Sequence, residues 1–142
     1  MKIERIRNFV FVILTVIFAV LMCGVFGLDE RVGMGISFTV LVWLAGAFFV
    51  LAVLQIVLTI KSRDTKLKKA FFLLTAISAA CIPLFAVLHN VVYGLFFAGK
   101  RDGDEAVFFI LALLVCPALF ILGSLASVIS GIVGMKNKVK NA

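Results

Sequence analysis

Taken as a pattern of apolar and polar positions, the chain divides into four long apolar stretches separated by short charged ones. The stretches run from Asn8 to Gly27, Gly33 to Ile60, Ala70 to Ala98 and Ala106 to Met135, and none contains Asp, Glu, Lys or Arg. About 20 apolar residues suffice for a helix to cross the hydrocarbon of a bilayer. Strands of a transmembrane barrel would instead alternate apolar and polar residues, and these runs do not alternate. The pattern predicts an all-α fold: a four-helix bundle of an integral membrane protein, with residues 1–142 forming one transmembrane domain. Short connections favour antiparallel neighbours, hence an up-down-up-down order.

The connecting pieces predict which way the bundle is threaded. "MKIERIR" sets Lys2, Arg5 and Arg7 against Glu4, whereas the first connection, "LDERV", is net acidic. The second, "KSRDTKLKK", sets Lys61, Arg63, Lys66, Lys68 and Lys69 against Asp64. The third, "GKRDGDE", is net acidic again, and the tail adds Lys136, Lys138 and Lys140. Basic flanks stay on the cytoplasmic side, so both termini and the middle connection are expected there. The first stretch is read as a retained span. It exceeds the usual signal-peptide core, no small-residue cleavage site follows it, and Met22 is too large for a lipoprotein box at Cys23.

Composition changes the picture only by confirming the solvent. The 142 residues are 64% hydrophobic and 15% charged, with a mean hydropathy of +1.25. Soluble domains carry about 25% charged residues, and a chain this short cannot bury so much apolar surface in one core. The net charge of +7 invites a nucleic-acid reading, which its distribution rejects. The basic residues flank the apolar runs, where they meet anionic lipid at the cytoplasmic face.

A weak internal repeat suggests two helical hairpins. "FVILTVIFA" (11–19) aligns with "FFLLTAISA" (71–79) at an offset of 60, and "DERV" (29–32) with "DEAV" (104–107) at an offset of 75. The second hairpin therefore holds extra residues between Ala80 and Gly103. Both of its helices also carry a proline near mid-membrane, Pro83 in "CIPLF" and Pro117 in "CPALF". Two readings of these helix kinks stand: simple packing bends, or a hinge or pocket between the third and fourth helices.

Ionisable groups inside a span are costly and mark function by default. His89 is the single instance, which excludes carboxylate-driven proton coupling and arginine-based voltage sensing. It lies about 30 Å of helix beyond Lys69, at the outer edge of the hydrocarbon, where Asn90 and the interfacial Tyr93 join it. His89, Asn90 and Tyr93 either mark the helix leaving the bilayer or form a ligand-binding cluster, His89 and Tyr93 sharing a face. One histidine cannot complete a metal or haem site, so no metal and no cofactor is expected. Cys23, Cys81 and Cys116 include no C-x-x-C pair and read as free thiols, the last two at similar depth. In the fourth helix Gly123, Ser127 and Gly131, and likewise Ala126, Ser130 and Gly134, recur every four residues. Small residues so spaced permit close helix packing, within the chain or across a homodimer seam.

No nucleotide loop, H-E-x-x-H or G-x-S-x-G occurs, and no catalytic residue is assigned. The first functional expectation is a non-enzymatic membrane protein acting by association with itself or with a larger membrane complex. The alternative is a transporter or channel component for a small neutral or apolar solute between the proline-kinked helices. A third is a membrane enzyme using His89 at the outer surface. The expected location is a prokaryotic plasma membrane. In a eukaryote the terminal "KVKNA" would match a dilysine retrieval tail and imply the ER membrane.

Overall fold

In a computed structural model the described residues, 2–26, 37–97 and 106–140, are helical but for the short segments that cap α2 and lead into α3. They form α1 (Lys2–Phe26), α2 (Phe38–Lys61), α3 (Lys66–Val92), the short α4 (Ala106–Ile110) and α5 (Cys116–Lys140). A π-helical turn, Tyr93–Phe97, extends α3, and another, Leu111–Val115, joins α4 to α5. Four helical stretches are therefore long and apolar enough to cross a membrane: Lys2–Phe26, Phe38–Lys61, Lys66–Phe97 and Ala106–Gly134. The acidic connections at 28–32 and 99–105, the limits Gly27, Gly33 and Ala98, and the side chains of Lys136, Lys138 and Lys140 lie outside the described residues.

The helices outrun the uncharged stretches at their charged ends. α1 begins at Lys2 and not at Asn8, because nothing in Lys-Ile-Glu-Arg-Ile-Arg breaks a helix. That extension carries Arg7 into the fold. α2 starts at Phe38, five residues beyond Gly33, where the Ser37 hydroxyl accepts the Val40 N–H at 3.4 Å as an N-cap does. α2 stops at Lys61, where Ser62 turns extended and donates its N–H to Thr59 O at 3.2 Å. α3 then begins at Lys66, four residues before Ala70.

Each long helix buries a stripe at three- and four-residue spacing. On α1 the stripe is Arg7, Phe11, Leu14, Phe18 and Leu21; on α2 it is Phe48, Ala52, Gln55 and Thr59, continued by Ser62. α2 packs against α1 and α3, and α3 packs against α5. At the centre the rings of Phe18 and Phe120 stack at 4.2 Å between centroids, with Phe48 at 6.4 and 6.1 Å from them. Ala52 and Ala79 are fully buried beside them, and their small volume lets the backbones approach. The opposite faces expose Phe38, Trp43 and Leu95 by more than 70%. Such large apolar surface is a liability in water and the normal exterior of a bundle in lipid.

Ring and charge contacts define which ends meet. Arg7 at the start of α1 reaches Asp64 between α2 and α3, and Phe11 meets Phe72 near the start of α3. At the other end, Phe85 and His89 of α3 meet Phe108 and Phe109 of α4.

The two prolines are accommodated differently. Pro83 lies inside α3. Pro117 follows the π turn, in which the Cys116 N–H reaches five residues back to Leu111 O. A proline removes one N–H and crowds the carbonyl four residues earlier. Widening the turn just before Pro117 shifts the hydrogen-bond register where that partner is missing.

Candidate functional site

An open apolar cavity lies towards the Asn90 end of the bundle. It measures about 720 Å³ and opens between α1, α2 and α3. Leu21 and Phe48 line the side nearest the aromatic trio; Gly46 and Ala86 leave room along the walls, and among the described residues Asn90 is its one strongly polar lining residue. Pro83 lines it, but Pro117 does not, and the fourth span contributes Ala112 and Leu113. The space thus forms where the proline-bearing segment of α3 faces α1 and α2. Its volume is within the range of small-molecule sites, about 300–1,000 Å³. Its lining offers an apolar surface and one amide.

The three outer polar residues are divided between two surroundings. Asn90 lines the cavity, and its Nδ2 donates to Ala86 O at 2.8 Å; that bond leaves the amide oxygen as an acceptor. His89 and Tyr93 instead form a ring row, 6.3 Å between centroids, and His89 stands 5.4 Å from Phe109. Tyr93 opens the π turn and is exposed.

The small-residue ladder of α5 is equally divided. A Cβ at Gly123 would stand 2.7 Å from Thr75 Oγ1 and 2.9 Å from the Thr75 backbone nitrogen, so α3 and α5 touch there. A Cβ at Gly131 or Gly134 would meet nothing within 4 Å. Ser127 is buried, Ala126 is half-buried, and Ser130 donates its hydroxyl to Ser127 O at 2.9 Å. Cys81 packs against the core that contains Cys116, and all three cysteines are free.

A second polar cluster was not legible as such from the sequence. Arg7, expected only as a flanking charge, is completely buried. It pairs with Asp64, donates through Nη1 to Ser62 Oγ at 3.4 Å and through Nη2 to Asn8 Oδ1 at 2.8 Å. Its guanidinium lies 3.9 Å from the centroid of the Phe72 ring, a cation–π contact. Lys68 completes the cluster at 2.9 Å from the other Asp64 oxygen. Burial pushes the Asp64 carboxyl up, but hydrogen bonds and charge from Lys68 and Arg7 outweigh it and hold the group below its ordinary value. The available signal was spacing: Arg7, Leu14 and Leu21 are seven apart, so Arg7 falls on the buried stripe.

The same stripe logic locates Gln55, a residue the sequence reading passed over. It is fully buried on α2, seven residues from Phe48. Among the described residues no three His, Cys, Asp or Glu side chains gather as a metal site would require. Comparison with protein families, curated proteins and solved structures finds no match to this chain.

Proposed function

We propose that the protein is a polytopic integral membrane protein that takes an apolar or weakly amphiphilic molecule from the bilayer into the cavity beside Pro83. The reading rests on one observation: a space of about 720 Å³, lined almost wholly by apolar side chains, with Asn90 as its polar contact. On this reading it is a transporter or channel component for small neutral or apolar solutes. The meeting of α1's start with the α2–α3 connection, and of α3's end with α4, supports an up-down-up-down order. With the charge alternation, the termini and Asp64 lie on the cytoplasmic side, and the cavity opens in the outer half. Exposed Lys61, Arg63 and Lys66 then face anionic lipid. A plasma membrane fits this orientation.

A diazirine-bearing fatty acid, photolysed with the protein in phosphatidylcholine vesicles, tests the reading. Adducts concentrated between Ile82 and Val91, and lost in Ala86→Phe, are expected. Labelling spread evenly over the lipid-facing residues would remove the case for a site.

Self-association is the second reading, and the open space at Gly131 and Gly134 favours it. This part of the small-residue ladder is not consumed by packing within the chain. Gly131→Leu should then shift the protein from dimer to monomer in mild detergent, and an unchanged mass would discard this interface.

A further inference from the structure

We infer that the inner half of the bundle holds a second site, a polar layer at Gln55, Ser124 and Ser127 that binds water. Both amide atoms of Gln55 are buried without a hydrogen-bond partner, as are the hydroxyl oxygens of Ser124 and Ser127. Gln55 is fully buried and Ser127 is 2% exposed.

Register places Gln55 and Ser127 at one level, with Ser124 one turn nearer the rings. The Phe48 and Phe120 rings lie 6.1 Å apart. Gln55 follows Phe48 by seven residues, and Ser127 follows Phe120 by seven. Two turns advance each helix about 10 Å and return to nearly the same face. Both advances lead towards the Arg7 end: α2 ends beside Asp64, and α5 passes Gly123, which touches Thr75 in the first half of α3. Gln55 and the two serines therefore stand beneath the aromatic trio, which separates them from the apolar cavity.

The chemistry selects the ligand. A carboxamide offers a donor and an acceptor, and each hydroxyl offers both. The binding species must be small, neutral and able to donate and accept at once. Water meets all three conditions and makes two to four bonds in such sites. A cation would leave the Gln55 NH₂ donors unpaired and an anion would leave its carbonyl oxygen unpaired, so neither satisfies the layer as water does. Arg7 is held by Asp64, Ser62, Asn8 and Phe72 at the helix ends.

A polar line connects the layer to that end. Thr59 donates its hydroxyl to Gln55 O at 2.7 Å, Ser62 donates to Thr59 O at 2.8 Å, and Arg7 donates to Ser62 Oγ at 3.4 Å. This stripe of α2 is thus polar from Gln55 to the Arg7–Asp64 pair.

Gln55 is the only glutamine in the chain, so glutamine labelled at its side-chain amide with ¹⁵N yields one NH₂ signal. In solid-state NMR of the protein in lipid vesicles, magnetisation is passed from water to that NH₂ group. With phenylalanine also ¹⁵N-labelled at its backbone amide, transfer to the fully buried Phe48 serves as the dry reference. We expect transfer to Gln55 well above the reference, and its loss in the Ser124→Ala, Ser127→Ala double variant. Thermal unfolding of that variant confirms that it remains folded. No transfer to Gln55 in the parent protein would overturn the site. So would a Gln55 signal that moves on Ser127→Ala without contacting water, since that reports direct amide–hydroxyl pairing. Transfer that survives the double variant would overturn the placement between α2 and α5.

Discussion

Arg7 shows how much one buried charge constrains its surroundings. Removing one member of a buried ion pair leaves the other uncompensated, at a typical cost of about 3–5 kcal/mol. The two members here are not equivalent. Without Arg7, Asp64 keeps Lys68 and is 10% exposed; without Asp64, Arg7 stays fully enclosed. Asp64→Asn should therefore cost about 3 kcal/mol and Arg7→Met about 2 kcal/mol, measured by thermal unfolding in mild detergent. The reverse order would mean that Asn8 and Phe72 satisfy Arg7 alone. Because the Asp64 carboxyl is held below its ordinary value, its contribution is complete above the unfolded-state value, near pH 4. It is lost as pH falls through the lowered folded-state value. Asp64→Asn should abolish that acid-side loss.

Glycine positions give a sharper contrast. Gly123→Ala drives a methyl against the Thr75 backbone, which cannot rotate away, and should cost about 1–3 kcal/mol. Gly131→Ala enters open space and should be neutral or stabilising, since alanine improves helix propensity by up to about 1 kcal/mol. Equal losses at the two positions would refute the division of the ladder. The sequence presents these glycines as one repeat and cannot separate them, because spacing fixes a residue's face but not what lies opposite. His89→Gln keeps a donor and an acceptor without a titratable ring. If the ring row only anchors the end of α3, both folding and fatty-acid capture should be unchanged. Loss of capture with folding intact would assign the imidazole to the ligand.

At the scale of elements, the prolines are the informative departures from regular helix. Pro117 comes with a π turn immediately before it, whereas Pro83 sits inside α3 against the cavity. Pro83→Ala restores an N–H that can bond to Ala79 O and relieves the crowding of that carbonyl. The variant should be at least as stable as the parent and should capture less of the photoactivatable fatty acid. Unchanged capture would mean that the cavity does not depend on the proline. Both prolines were visible in the sequence. Which helix they opened towards was not, since a missing hydrogen bond does not specify the neighbour that takes up the space.

For the whole molecule, the arrangement rests on apolar length and charge placement together. Reporter fusions at Ala142 and within 99–105 should fall on opposite sides of the membrane, with Ala142 cytoplasmic. Reporters on one side would refute the threading and move both proposed sites to the wrong faces. The sequence by itself determined the class of fold. Uncharged runs of this length can satisfy their backbone only as helices once water is excluded, and that holds whatever the helices pack against. Tertiary structure alone decided the interior: the burial of Arg7 beneath Phe72, the division of Gly123 from Gly131, and the cavity facing α1 and α2. It also buried the Gln55 amide and the Ser127 hydroxyl without hydrogen-bond partners. The physical reason is that lipid exerts the same demand on every apolar face, so hydropathy cannot distinguish a surface that meets lipid from one that meets another helix. That choice depends on side-chain volume and polar pairing across helices, which exist only after the four stretches have packed.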